Sequence, residues 1–418
     1  MFKLLYMRIT NVFSSSGLTG FYFDDLQAIK KGAKMDGGIY HGSPVTQGFS
    51  KIRQLGESVS ILIELNDGQI AYGDCVAVQY SGTTGRDSPF IADELIQMIQ
   101  NVVAPKLIGV DLIDFKRLSE EIDLLEVSGK KLHSAIRYGA SQAILDAFAK
   151  AQRRTMAEVI ADAYGLRVSR VMVPLFAQSG AERYANVDKM ILKGVKVLPH
   201  GLINSSELVG FRGEKLLDYV KWVRNRILNV GGVNYEATIL LGVYGTIAKV
   251  FDNDVEAISK YICSLEKAAD PFDLWIETPL LAESKRLQIE LSKSLIMQLK
   301  NLGSRVKLVA NEWCTSLKDV MAFCDEGATD IINIMTPQLG GINNSIEAVL
   351  YCRNSGIGAY VAGSCNETDK SARVSTHIAL ATQADLIAAK PGMGVDEGIM
   401  IVYNEMQRAL AIIASRRG

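Results

Sequence analysis

Four apolar runs in the second half of the chain close on ILLGVYG, LWIETP, KLVANEWC and IINIMTP, placing Gly242, Glu277, Asn311 and Met335 at successive strand ends. Three further runs close on Gln178 (LFAQ), His200 (VLPH) and Ser364 with Cys365 beside it (VAGSC). Polar residues that end apolar runs are what a site inside a barrel mouth requires, and His200 is the one residue of the set suited to general acid or base work near neutral pH. One of the first four is a carboxylate and none is an amine. Met335 neither accepts nor donates a proton, and its thioether stem fills apolar volume. Cys365 has no general base near it in sequence, so it reads as a small buried residue rather than a thiolate nucleophile. His41, His133 and His377 show no metal-ligand spacing and read as structural or surface residues.

These ends need strands to carry them. From residue 171 onward short apolar strands alternate with amphipathic helices: VMVPLFAQ, VKVLPH, ATILLGVYG, DLWIETP, VKLVANEW, IINIMTP, GAYVAGS and ADLIAAKPG, with helical periodicity over 213–230, 254–268, 283–302, 316–325, 342–355 and 370–382. Eight such units match a (β/α)8 barrel, whose chemistry sits at the C-terminal strand ends. A doubly wound open sheet is the competitor, but no GxGxxG follows any strand. A last helix is read over 399–415.

The first half reads differently. SVSILIELNDGQIAYGDC is a hairpin turning on Asn66-Asp67-Gly68. Glycine-rich loops are read at 17–25, 36–48 and 79–87, and the N-terminal MFKLLYMRITNVF as a first strand. Residues 113–125 and 131–165 carry helical periodicity. The expected class is therefore α/β: an N-terminal α+β capping domain over 1–165 and a (β/α)8-type barrel with a C-terminal helix over 166–418.

Composition narrows the function classes. The 418 residues are 48% hydrophobic and 22% charged, with a formal net charge of −1, so there is no basic footprint for nucleic acid. Six cysteines without a CxxC pair argue against a zinc site or a disulfide framework and for a reducing compartment. No run reaches membrane-spanning length, and the N-terminus has no signal-peptide cleavage pattern, so the expected location is the cytoplasm.

The motifs GLTGFYFDD, GDCVAVQYSG, AIRYG, QAILDA, VPLFAQSG, DKMILKGVKVLPH, ANEWC, TPQLGGINN, GSCNET and AKPGMGVDEG together resemble the methylaspartate ammonia-lyase family of the enolase superfamily, in nearly the same register from Gly17 to the C-terminus. The resemblance implies a capping domain over a barrel, a homodimer, and reversible elimination of ammonia from 3-methylaspartate to give mesaconate. The proton removed lies beside a carboxylate and is hardly acidic. The family therefore uses a divalent metal, usually Mg2+, on three carboxylates, a lysine base, and a histidine on the opposite face.

Carried over by position, His200 matches the family histidine and Gln178 a substrate-carboxylate contact. Gln79 and Tyr360 match positions near the substrate, Ser364 stands for a threonine, Cys365 follows it as in the family, and Glu277 matches the middle metal ligand. Gly242 and Asn311 replace the other two metal ligands, both aspartates. Met335 replaces the lysine base, Asn333 a glutamine, and Ala388 a leucine beside the substrate. A Mg2+ site held by Glu277 alone would be mostly water-ligated, and Glu312 next to Asn311 should point to the other face of the strand. The expectation is a family member whose elimination is lost or altered. The alternative is a non-catalytic paralogue that binds a small amino or dicarboxylic acid or pairs with an active homologous subunit.

Overall fold

The computed structural model describes residues 7–80, 86–232, 234–389 and 394–416. The start of the expected first strand (residues 1–6) and parts of the 79–87 and KPGMGVDEG loops lie outside the described residues.

An antiparallel sheet opens the chain: β1 (Ile9–Asp24) pairs β2 (Arg53–Leu65), which pairs β3 (Ile70–Cys75). The β2–β3 hairpin turns at Asn66-Asp67-Gly68, with Glu64 opposite Ile70. Residues 17–24, expected as loop, instead complete β1. Leu18 pairs Glu57 and Tyr22 pairs Leu55, so three residues bulge opposite Gly56. A Cβ on Gly56 would stand 2.3 Å from the Phe21 carbonyl oxygen, which is why the bulge needs glycine there. The helical stretch read over 131–165 is two helices, α1 (Ser134–Gln152) and α2 (Met156–Tyr164). Arg153 in the left-handed region ends the first, and a Thr155–Glu158 capping box starts the second.

Eight parallel strands then close a barrel in chain order: β4 (Leu175–Ala177), β5 (Val197–His200), β6 (Thr238–Gly242), β7 (Asp273–Glu277), β8 (Lys307–Ala310), β9 (Ile331–Met335), β10 (Gly358–Ala362) and β11 (Leu386–Ala389). Closure is made by β11 on β4, with Ala388 opposite Phe176. The open-sheet alternative is thereby excluded. Alternation sorts the strand residues into two sets. Leu198, Ile239, Leu241, Ile276, Leu308, Ile332, Ile334, Val361 and Ile387 join the main core with the outer helices. Phe176, Val197, Leu240, Val309, Ile331, Tyr360, Ala362, Leu386 and Ala388 pack with one another inside the barrel. The last helix, α3 (Val395–Ser415), begins four residues before the expected start.

The N-terminal unit is tied onto the barrel mouth by specific polar contacts. The Tyr138 hydroxyl on α1 lies 3.0 Å from Thr336 Oγ1, directly after Met335. Ser364 Oγ donates to the Ala77 carbonyl at 2.8 Å. Among the described residues no helix is long and apolar enough to cross a membrane.

Candidate active site

Glu277 ends β7 inside the barrel and is 3% exposed. Its carboxylate collects donors from three strands or strand ends. Asn311 Nδ2 donates to Oε1 at 3.0 Å, the Tyr360 hydroxyl donates to Oε2, and Asn333 Nδ2 lies 3.5 Å from Oε2. His200 Nε2 stands 3.7 Å from Oε1. Burial works to raise the carboxyl pKa, but His200, then Tyr360 and Asn311, outweigh it and hold the group below its usual value. The Tyr360 hydroxyl moves the other way, pushed well up by burial and by the Glu277 charge.

His200 reaches this position against the strand alternation. Leu198 faces the outer helices, so His200, two residues on, should face outward as well. It adopts φ 63°, in the left-handed region, and its ring turns back into the barrel. There it meets the ring of Phe176 at 6.2 Å and that of Tyr244 at 5.8 Å, the latter edge-on. The space it enters belongs to position 242. A Cβ on Gly242 would stand 1.9 Å from His200 Nε2 and 2.3 Å from Cε1. The His200 ring thus fills the space that any side chain at position 242 would need.

The other positions divide into those gathered round this centre and those that are not. Asn333 is 4% exposed, and its Oδ1 is buried without a hydrogen-bond partner. Met335 is half-buried at the end of β9, opposite Ala362 of β10. Gln178 is half-buried just past β4. Gln79 is committed to the N-terminal unit, its amide donating to Asp24 Oδ2 at 2.8 Å, where Arg53 also holds Asp24 through Nε and Nη2. Ser364 spends its hydroxyl proton on Ala77. Burial and then Asp24 push the Cys365 thiol up to about 12, which supports the reading of a cysteine that is no nucleophile. Ala388 is fully buried in the apolar layer beside Phe176 rather than open to a pocket.

Two residues at this mouth, Tyr244 and Arg86, carried no sequence signal. Tyr244 is two positions past Gly242. Its hydroxyl is raised well above its usual value by burial first and then by the Glu277 charge. Glu312 lies in the turn after β8, beyond the reach of strand alternation, and meets Arg86 Nη2 at 3.5 Å. Arg86 arrives from the N-terminal unit, more than two hundred residues away in the chain. Outside this centre, His377 pairs with Glu405 at 3.1 Å, and His133 caps α1 through its ring nitrogen.

The set does not fit Mg2+, which demands near-octahedral oxygen ligands. Gly242 offers no atom and its space is filled by an imidazole. Asn311 turns its amide nitrogen, a donor, toward Glu277. Among the described residues no group of three or more His, Cys, Asp or Glu could hold a metal.

Comparison with known proteins bears on the whole chain. Residues 7–165 match Methylaspartate ammonia-lyase N-terminus and residues 167–415 match Methylaspartate ammonia-lyase C-terminus. The chain is 52% identical over 413 residues to methylaspartate ammonia-lyase of Clostridium tetanomorphum, covering 98% of this chain and 100% of that one. Against the Citrobacter amalonaticus enzyme the identity is 47% over 412 residues, covering 98% and 100%.

Among solved structures, the Mg complex of β-methylaspartase from C. tetanomorphum superposes with a TM-score of 0.94 at 52% identity, covering 98% and 100% of the two chains. The C. amalonaticus enzyme containing (2S,3S)-3-methylaspartic acid gives 0.96 at 47% identity, covering 97% and 100%. A muconate lactonizing enzyme from Pseudomonas fluorescens, at 0.61 and 17% identity over 91% and 87% of the chains, shares the fold alone. With both halves matched and the identity running the full length of its relatives, the chain belongs to the methylaspartate ammonia-lyase family, on the enolase-like barrel fold.

Proposed function

We propose that this family member has lost the metal-assisted elimination of ammonia from 3-methylaspartate and keeps its barrel mouth as a binding site for a small dicarboxylic or amino acid. The observation that carries this reading is the His200 ring in the space of residue 242, held against Glu277. A cation placed there would have to displace the imidazole and break the donor shell of Glu277.

When bound in a fitting site, Mg2+ supplies Lewis-acid stabilisation of the charge that develops as a proton leaves the carbon beside a carboxylate, worth several kcal/mol. This chain has no ligand set for it. Its Met335 also removes the base, a loss that typically costs ~10²–10⁴ in rate. The remaining groups suit recognition rather than proton abstraction. The unpartnered Asn333 Oδ1 accepts a hydrogen bond from a ligand N–H or a water, and Gln178 offers both donor and acceptor.

The test is calorimetric titration with mesaconate and with (2S,3S)-3-methylaspartate, each with and without Mg2+, alongside an assay for mesaconate release. Binding that is indifferent to Mg2+, without turnover, supports the reading. Mg2+-dependent turnover that Glu277→Gln abolishes overturns it.

A further inference from the structure

We propose that Arg86 is the residue that recognises a ligand carboxylate at the barrel mouth, through the guanidinium edge carrying Nε and Nη2. This rests on the acid-binding reading above and names the group that would satisfy the acid.

The side chain of Arg86 is only 8% exposed, yet its donors are poorly used. Nε is buried with no hydrogen-bond partner. Nη1 reaches the Tyr80 carbonyl at a long 3.4 Å, and Nη2 lies 3.5 Å from Glu312 Oε2. A guanidinium has five N–H donors in a rigid fork, and leaving a buried charged donor unmatched is costly. The vacant Nε and the loosely used Nη2 form the edge that grips a carboxylate in two parallel bonds.

Position and charge both point to the same use. Arg86 contacts the residue after Gln79 and the residue after Asn311, so it bridges the N-terminal unit and the strand end whose neighbour bonds Glu277. The other cation near Gln79, Arg53, is already neutralised by the two-bond pair with Asp24 at 2.8 and 2.7 Å. Position 335 supplies no amine, and the centre does not fit a metal. An incoming carboxylate on Arg86 competes with Glu312, whose contact is the weaker for its length. A ligand carboxylate on this edge therefore displaces a long contact rather than a tight two-bond pair.

Three variants separate this role from a purely structural tie between the two units. Mesaconate binding to the full chain is measured by calorimetry for the wild type, Arg86→Gln, Arg86→Lys and Glu312→Gln, with the exposed Arg212→Gln as control. We expect Arg86→Gln to weaken binding about tenfold or more, the scale of a lost charged hydrogen bond. Arg86→Lys, which keeps the charge without the fork, should weaken it less. Glu312→Gln should tighten binding, because it removes the competitor. Unchanged affinity in Arg86→Gln overturns the proposal, and so does a parallel weakening in Glu312→Gln, which marks the pair as a tie between units. If Arg86→Gln does not fold, Arg86→Lys and Glu312→Gln still decide. A wild-type chain that binds neither mesaconate nor 3-methylaspartate overturns the acid-binding reading and this proposal with it. Loss confined to the Arg86 arm leaves that reading standing.

Discussion

The His200 ring and the α-carbon of Gly242 share one space: a methyl group on residue 242 would sit 1.9 Å from His200 Nε2. Two residues on adjacent strands are thus coupled through the atom that one of them lacks. The missing side chain at residue 242 is what leaves room for the histidine.

The coupling is measurable. Gly242→Ala should destabilise the protein by about 1–3 kcal/mol, the usual cost of overpacking a filled interior. In a His200→Ala background the same change should cost much less. A double-mutant cycle by urea unfolding is expected to give a coupling of about 1 kcal/mol or more. Additive effects would show that the ring does not occupy that space.

An amine placed at position 335 should not by itself create the elimination activity. Met335→Lys is expected to release no mesaconate from 3-methylaspartate in the presence of Mg2+, because the lysine would act beside a centre without metal ligands. Mn2+ binding, followed by electron paramagnetic resonance, should likewise be absent in the wild type and in Met335→Lys. It should appear once Gly242→Asp and Asn311→Asp are introduced together and His200 is displaced.

Ala388 separates two pictures of the pocket. If it lined an enlarged cavity, Ala388→Leu would be tolerated. Its full burial beside Phe176 predicts overpacking instead, with a loss of about 1–3 kcal/mol in chemical unfolding and a lowered Tm.

Acid sensitivity should trace in part to Glu405 on α3. Burial tends to raise its pKa, but His377 and then Arg373 overcome that and hold it at about 2. A carboxyl lowered in the folded state binds fewer protons there than when unfolded. Its stabilisation is therefore complete above the unfolded value of about 4.3 and is lost as pH falls from there toward 2. Glu405→Gln should lower stability at neutral pH and flatten its decline between pH 5 and 2 in pH-dependent unfolding.

Much of the fold is legible in the chain because it rests on local periodicity. The eight barrel strands fall on the short apolar runs that alternate with helical periodicity, and the hairpin falls where Asn66-Asp67-Gly68 interrupts alternation. The misreadings occur where one residue overrides the pattern. Arg153 in the left-handed region splits one helical stretch into two. The glycines of GLTGFYFDD, read as loop, belong to a bulged strand because the tight approach is demanded by its partner at Gly56.

At the site, residue identity alone determined what the strand ends can offer: Glu277 is the one carboxylate among Gly242, Glu277, Asn311 and Met335, and none of the four is an amine. Only the tertiary structure decided where His200 points, because the backbone there, with φ 63°, leaves the regular strand conformation that alternation assumes, and a glycine on the next strand leaves the room. Arg86 meets Glu312 for a similar reason. Their contact spans 226 positions and is made by the packing of one unit on another, which no local pattern in the chain encodes.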